Sequence, residues 1–284
     1  MTAPRRAAAP ARKASQPPPA EPARAPLKHL ERAFAVIEAL LRANQPMRLT
    51  DLTPVAGLDA SGTLRLLKLM AELGYVVRND ARKTYLPGAK AAFPLGLSHP
   101  FQELRRDATE LLLDIQRETS VSAGLQVFLG GTRILIELRH GASRLTPFWD
   151  TTIRTALHAS ASGKQLLLAM SPAARQERLG PGPFERFTDR TITDPAALDA
   201  DLRAAAKRGW TTVVEEAYVG MSSVAAPVRS AGRSAVGAVI ATGLATQFRG
   251  DRLAAAGQAV KRAADMLGAM SPAVRSLEAL LAPD

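Results

Sequence analysis

The feature that most constrains this fold is a run of three short segments with helical apolar spacing between Leu27 and Gly74, each closed by its own stop signal. Leu27, Leu30, Phe34, Ile37 and Leu41 recur at helical spacing, which predicts a first helix ending near Asn44 with one apolar stripe to bury. A second helix, with Thr50 or Asp51 as N-cap, turns Leu52 and Val55 inward and stops at Gly57. Pro54 falls in or just past its first turn, where it costs at most one backbone bond. Asp59 caps a third helix with Leu64, Leu67, Met70 and Leu73 as core positions, ending at Gly74. Residues 75–78 and 84–86 then read as two short extended segments around a polar, basic turn at 79–83. Three helices and a hairpin predict a winged helix-turn-helix.

Charge is concentrated in the same part of the chain. The 284 residues carry a net charge of +11, with ten basic against six acidic side chains over residues 27–98 and five against one over residues 1–26. The remaining 186 residues are nearly balanced, at 22 against 19. Attraction to phosphate depends on such clustering, so the first third is the expected polyanion-binding part. Residues 1–26 are almost wholly Ala, Pro, Arg, Ser and Lys, and read as a disordered basic arm that adds nonspecific affinity for DNA. Prolines and charges interrupt any secretory apolar core, and no apolar run reaches the roughly 20 residues of a membrane helix, so no membrane partner and a cytoplasmic location are expected.

In a winged helix-turn-helix the third helix enters the major groove while the wing and flanking backbone meet phosphates. Ser61, Thr63, Arg65 and Lys68 are expected on the groove-facing side of that helix, with Gly62 allowing close backbone approach to a phosphate. Arg48 and Thr50 at the start of the second helix, and Arg82 and Lys83 in the wing, are the phosphate candidates. A protein-interaction role for the same module is the competing reading.

Beyond residue 98 the pattern changes twice. Residues 99–120 form a predicted linker helix with Leu104, Leu111, Leu112 and Ile115 on its apolar side, and beyond it the period shifts toward two. Residues 122–129 and 133–138 read as strands around Gly130-Gly131, a pair suited to a tight hairpin. Helices are expected over 157–170, from Ser171-Pro172, and from Asp194-Pro195 to Gly209. A second hairpin is expected at 222–229 and 234–242, and a closing helix at 251–267, giving an α+β sheet domain over 121–270 and a tail at 271–284.

Chemistry-bearing motifs are few. Zero cysteines exclude disulfides and thiolate sites, and His29, His99, His140 and His158 lack metal-ligand spacing, so neither metal nor cofactor is expected. Gly163-Lys164 lacks the upstream glycine of a P-loop, no Gly-x-Ser-x-Gly occurs, and Ser160 lacks a lysine three positions on. Glu215-Glu216 reads as a solvated or structural pair and His158 as a packing or capping residue. No catalytic residue is assigned.

Residues 30–33, 49–57 and 66–76 resemble the DNA-binding half of the IclR family of bacterial transcription regulators. In the family's recognition-helix pattern only Ser61 and Arg65 match here, which changes the operator expected. The resemblance continues through residues 157–164, Thr191-Ile192-Thr193-Asp194, Glu215-Glu216 to Gly220, and residues 224–228. It implies an N-terminal winged helix-turn-helix joined to a GAF-like effector-binding domain, double-stranded operator DNA and a small-molecule effector as partners, and a homodimer or dimer of dimers. The first helix and the linker helix are the dimer surfaces expected. The family's ligand positions fall on Val213, Ser223, Ile240 and Thr242, with Glu216 retained, Ala161 and Ser162 in the matching segment, and Phe148 and Met221 as further lining. Val213 and Ile240 stand where the family carries Asp and Ser, which implies an effector less polar than a small 2-oxo acid, an organic acid or aromatic metabolite. Two alternatives stay open: a hydrolase using Ser160, Ser162, His158 and Glu216, and a DNA-binding protein with a degenerate pocket.

Overall fold

The computed structural model describes residues 25–43, 45–142 and 152–281. The chain divides after Pro94 into two compact units.

The first unit runs α1 (Ala25–Arg42), β1 (Met47–Arg48), α2 (Leu49–Ala56), α3 (Ala60–Glu72), β2 (Val76–Asn79), β3 (Thr84–Pro87) and the single turn α4 (Ala89–Ala92). β3 is central, with β1 and β2 antiparallel on either side. Val36, Leu40, Leu52, Leu67, Met70, Val76 and Tyr85 form its core. The backbone signals are read correctly: Gly57 ends α2 at φ 58°, and the Asp59 carboxylate accepts the Gly62 N–H at 2.7 Å to cap α3.

The helix faces differ from expectation. Arg48, not Thr50 or Asp51, is the α2 N-cap, and Asp51 instead accepts the Arg48 N–H at 2.8 Å. Val55, Leu64 and Leu73 are exposed, and so are Leu30, Phe34 and Leu41 of α1. Thr63 is completely buried, its hydroxyl donating to Asp59 O at 2.9 Å. A threonine satisfied by the preceding turn can take a core position that a leucine was expected to fill. Because the Asp59 cap starts the helix in this phase, Asp59→Ala is expected to cost this unit about 1 kcal/mol, measured by urea denaturation. A change of only a few tenths would show the cap to be dispensable.

The second unit runs α5 (Pro100–Thr119), β4 (Ser122–Leu129), β5 (Thr132–Arg139), β6 (Thr152–Ile153), α6 (Ala161–Ala169), α7 (Pro172–Leu179), α8 (Pro195–Arg208), β7 (Thr211–Val214), β8 (Met221–Val228), β9 (Gly237–Leu244), a 3-10 turn (Ala245–Phe248), α9 (Arg252–Met270) and α10 (Pro272–Leu281). Among the described residues six strands form one antiparallel sheet in the order β6-β5-β4-β9-β8-β7. Gly130 and Gly131 make the β4–β5 turn with φ of 55° and 73°, a conformation that disfavours any side chain.

Alternation along β4 divides the two faces. Ala123, Leu125 and Val127 join the large core with α5, α9 and α10, whereas Phe128 packs with Ala161, Leu166, Val213 and Ile240 beside α6. Pro272–Leu281, expected as part of a tail, instead forms α10, and its Ala273, Val274 and Leu277 are completely buried. The helix expected from residue 157 begins only at Ala161. Gly163 packs so tightly over that entry turn that a Cβ would lie 2.4 Å from Leu157 O.

Candidate functional site

In the first unit, Arg48, Thr50, Ser61, Arg65, Lys68, Arg82 and Lys83 are all exposed, with Gly62 partly so. Ser61, Arg65 and Lys68 lie on the solvent side of α3, while Arg82 and Lys83 sit in the β2–β3 wing. Two expectations are corrected. Thr63 faces the core and is unavailable to a base edge. Gly62 has its N–H committed to Asp59 Oδ1, and an added Cβ would fall 2.7 Å from that oxygen, so the glycine accommodates the cap and not a phosphate. The remaining surface combines a basic helix face with a basic wing, the charge distribution that phosphate contacts require.

In the second unit a narrow cleft, partly open to solvent, lies at the N-terminus of α6. Ala161, Ser162, Val213, Met221, Ser223, Ile240 and Thr242, expected from sequence, all line it, joined by Ile153, Thr155 and Tyr218. The β7–β8–β9 register explains this convergence: Val213 lies opposite Ser223, and Ser223 opposite Thr242, in one row across the sheet. Apolar walls with a few hydroxyls are the usual make-up of a small-molecule site. Ser160 is the N-cap of α6, yet its hydroxyl makes no cap bond and donates instead to Ala156 O at 3.0 Å. The first amides of α6 therefore lack a side-chain cap, leaving a helix end suited to an anion.

Two further ligand residues are expected from sequence. Phe148 lies outside the described residues. Glu216 is turned away: both its carboxylate oxygens meet Lys164 Nζ, at 2.8 and 3.0 Å. Lys164 is completely buried and also lies 2.8 Å from Asp201 Oδ2. Burial raises the Glu216 pKa and the Asp201 carboxylate raises it further, while the Lys164 charge and hydrogen bond oppose the rise. The Glu216 carbonyl accepts from the Thr191 hydroxyl at 2.6 Å, and neighbouring Glu215 adopts φ 58°. This anchorage fixes the segment that carries Ala217 and Tyr218 to the cleft wall.

Sequence reasoning missed Lys164, Asp201 and Arg133. Arg133 on β5 is only 2% exposed; its Nη1 donates to Ser160 Oγ at 2.6 Å and Ser162 Oγ at 3.1 Å, and its Nη2 to the carbonyls of Ile153 and Thr155. Burial lowers its pKa to about 10, so it stays charged at neutral pH. His158 Nε2 donates to Glu185 O, 2.8 Å away, and the ring stacks on Phe187. Ser160 and Ser162 thus face a guanidinium, His158 a backbone carbonyl and Glu216 a lysine. These residues form no nucleophile–base pair.

A basic winged helix-turn-helix together with a separate sheet unit holding a small-molecule cleft defines a ligand-responsive DNA-binding protein. Residues 29–80 match the IclR helix-turn-helix domain, and residues 100–269 match the C-terminal domain of bacterial IclR transcriptional regulators. The chain belongs to the IclR family of bacterial transcriptional regulators. It is 28% identical over 243 residues to the HTH-type transcriptional regulator BhcR of Paracoccus denitrificans, covering 84% of this chain and 85% of that protein. It is 31% identical over 218 residues to the glycerol operon regulatory protein of Streptomyces griseus, covering 76% and 85%. The fold is similar to the crystal structure of an IclR homolog from Microbacterium hydrocarbonoxydans complexed with 4-hydroxybenzoate, with TM-score 0.72, 21% identity, and 87% and 99% coverage.

Proposed function

We propose that this regulator binds a pseudo-palindromic operator as a homodimer and that a small organic acid or aromatic metabolite in the α6 cleft changes its DNA affinity. The observation that carries this reading is the cleft itself: Ser160, Ser162 and the uncapped end of α6 on the helix side, and Val213, Ile240 and Met221 with the Ser223 and Thr242 hydroxyls on the strands. An acid with a hydrophobic body fits that division better than a small 2-oxo acid, and the Microbacterium homolog holds an aromatic acid of this type. Residues 27–98 act as the DNA-reading module and residues 121–270 as the sensor. Ser61, Arg65 and Lys68 read the groove, with Arg48, Thr50, Arg82 and Lys83 on phosphates.

Exposed Leu30, Phe34 and Leu41 make α1 the better dimer surface, since the apolar side of α5 is already buried in its own unit. Symmetric dimers call for symmetric half-sites. The protein acts by binding rather than turnover and works in the cytoplasm, as its operator requires. The effector works by having different affinities for the DNA-competent and incompetent arrangements.

The test is a mobility shift with the protein's own promoter and neighbouring intergenic DNA, under excess competitor, with and without a panel of carboxylic and aromatic acids. A specific shift altered by one acid is expected. A specific shift indifferent to every acid would favour a degenerate pocket, and no specific shift would overturn the regulatory reading.

A further inference from the structure

Arg133 is a buried cation whose hydrogen-bond partners among the described residues are all neutral: two serine hydroxyls and two backbone carbonyls. Lys164, the other fully buried cation among the described residues of this unit, is balanced by Glu216 and Asp201. A buried guanidinium without a carboxylate is costly, and its field is weakly screened in a low-dielectric interior. The cleft therefore lies beside a positive charge that no carboxylate among the described residues pairs with.

Hydrogen-bond direction carries this charge into the cleft. Ser160 accepts from Arg133 and donates to Ala156 O, so its hydroxyl is committed on both sides. Ser162 also accepts from Arg133, but its own hydrogen meets no acceptor among the described residues, and the residue lines the cleft. With a lone pair held by a guanidinium, Ser162 is oriented as a donor toward whatever enters. The α6 dipole has the same sign at this point.

We infer that Arg133 is the residue that sets the charge preference of the cleft, holding Ser162 as a donor and making the site select an anionic head group over a neutral group of the same shape. The inference rests on the reading of the cleft as the effector site. Arg133 is a positioning residue that acts through Ser162, and the same four hydrogen bonds tie β5 to the entry of α6 and to the segment at Ile153 and Thr155.

The experiment is calorimetric titration of the full chain with two matched pairs, benzoate against benzamide and butyrate against butyramide. Charge-assisted hydrogen bonds are about twice as strong as neutral ones, so wild type should favour the acid in a pair by roughly tenfold. In Arg133→Met that preference should fall to within about twofold. Arg133→Lys keeps the charge but not the fork, and should retain the preference while binding both members more weakly. Ser162→Ala should lower acid affinity several-fold and keeps the test decisive should Arg133→Met not fold. An unchanged acid preference in folded Arg133→Met, or unchanged acid affinity in Ser162→Ala, would overturn the role of Arg133 and leave the sensor cleft standing. Failure of wild type to bind any of the four compounds would overturn the cleft reading, and this inference with it.

Discussion

Replacing Lys164 by Met should destabilise the C-terminal unit by about 3–5 kcal/mol, because it strands two carboxylates that share one buried ammonium. Glu216→Gln should cost clearly less, since Lys164 keeps Asp201 as counter-ion and the amide preserves the shape of the contact. The pH dependence separates this account from simple loss of packing. Glu216 has a raised pKa, chiefly from burial, so its protonated form favours the fold: that contribution is complete below the ordinary carboxylate value and is lost as pH rises through the raised one. Removing Lys164 removes the main opposing influence and raises the value further. The deficit of Lys164→Met should therefore be larger at pH 7.5 than at pH 5.5, as read from urea melts followed by circular dichroism. A loss below about 1 kcal/mol, or one indifferent to pH, would mean that the ion pair does not support the unit.

The second large effect is expected at the DNA-reading surface. Arg65→Ala should weaken specific operator binding by about 1–3 kcal/mol and relax sequence preference at one position in each half-site, as loss of a base-edge contact does. Thr63→Ala makes the contrast. Its hydroxyl is buried against the Asp59 carbonyl, so the substitution should lower the stability of the N-terminal unit without changing which bases are preferred. Selection of binding sites from a randomised pool distinguishes them. If Arg65→Ala left the selected sequence intact while Thr63→Ala altered it, the assigned orientation of α3 would be wrong.

Backbone chemistry was the most legible part of this sequence. Gly57, Asp59, Gly130-Gly131 and Asp194 each act within a few residues, so their stops, caps and turn follow from local rules. Helix faces were harder to read where several leucines compete. Of the four apolar positions expected in the α3 core, Leu67 and Met70 are buried, whereas Leu64 and Leu73 face outward and Thr63 takes a core place. The cleft was largely readable because its Val213, Ser223, Ile240 and Thr242 come from a matched pattern whose strands alternate regularly. Lys164 and Glu216 are 52 residues apart, and a lone Arg133 in a strand looks like an ordinary surface cation. Their roles emerge only when the chain brings distant partners together.

The order of strands in the sensor sheet also bears on how the protein acquires its shape. β4 has β5 on one side, joined by a tight turn, but β9 on the other, so that Ser122 lies opposite Thr242 across 120 positions of chain. Such pairing must close a long loop before it is rewarded, which slows folding. In the N-terminal unit the longest strand pairing, Met47 with Tyr85, spans only 38 positions. Refolding from denaturant should therefore show a fast phase that restores the reading head and a slower one that restores the sensor, and between them exists a protein able to recognise DNA but not yet to answer an effector.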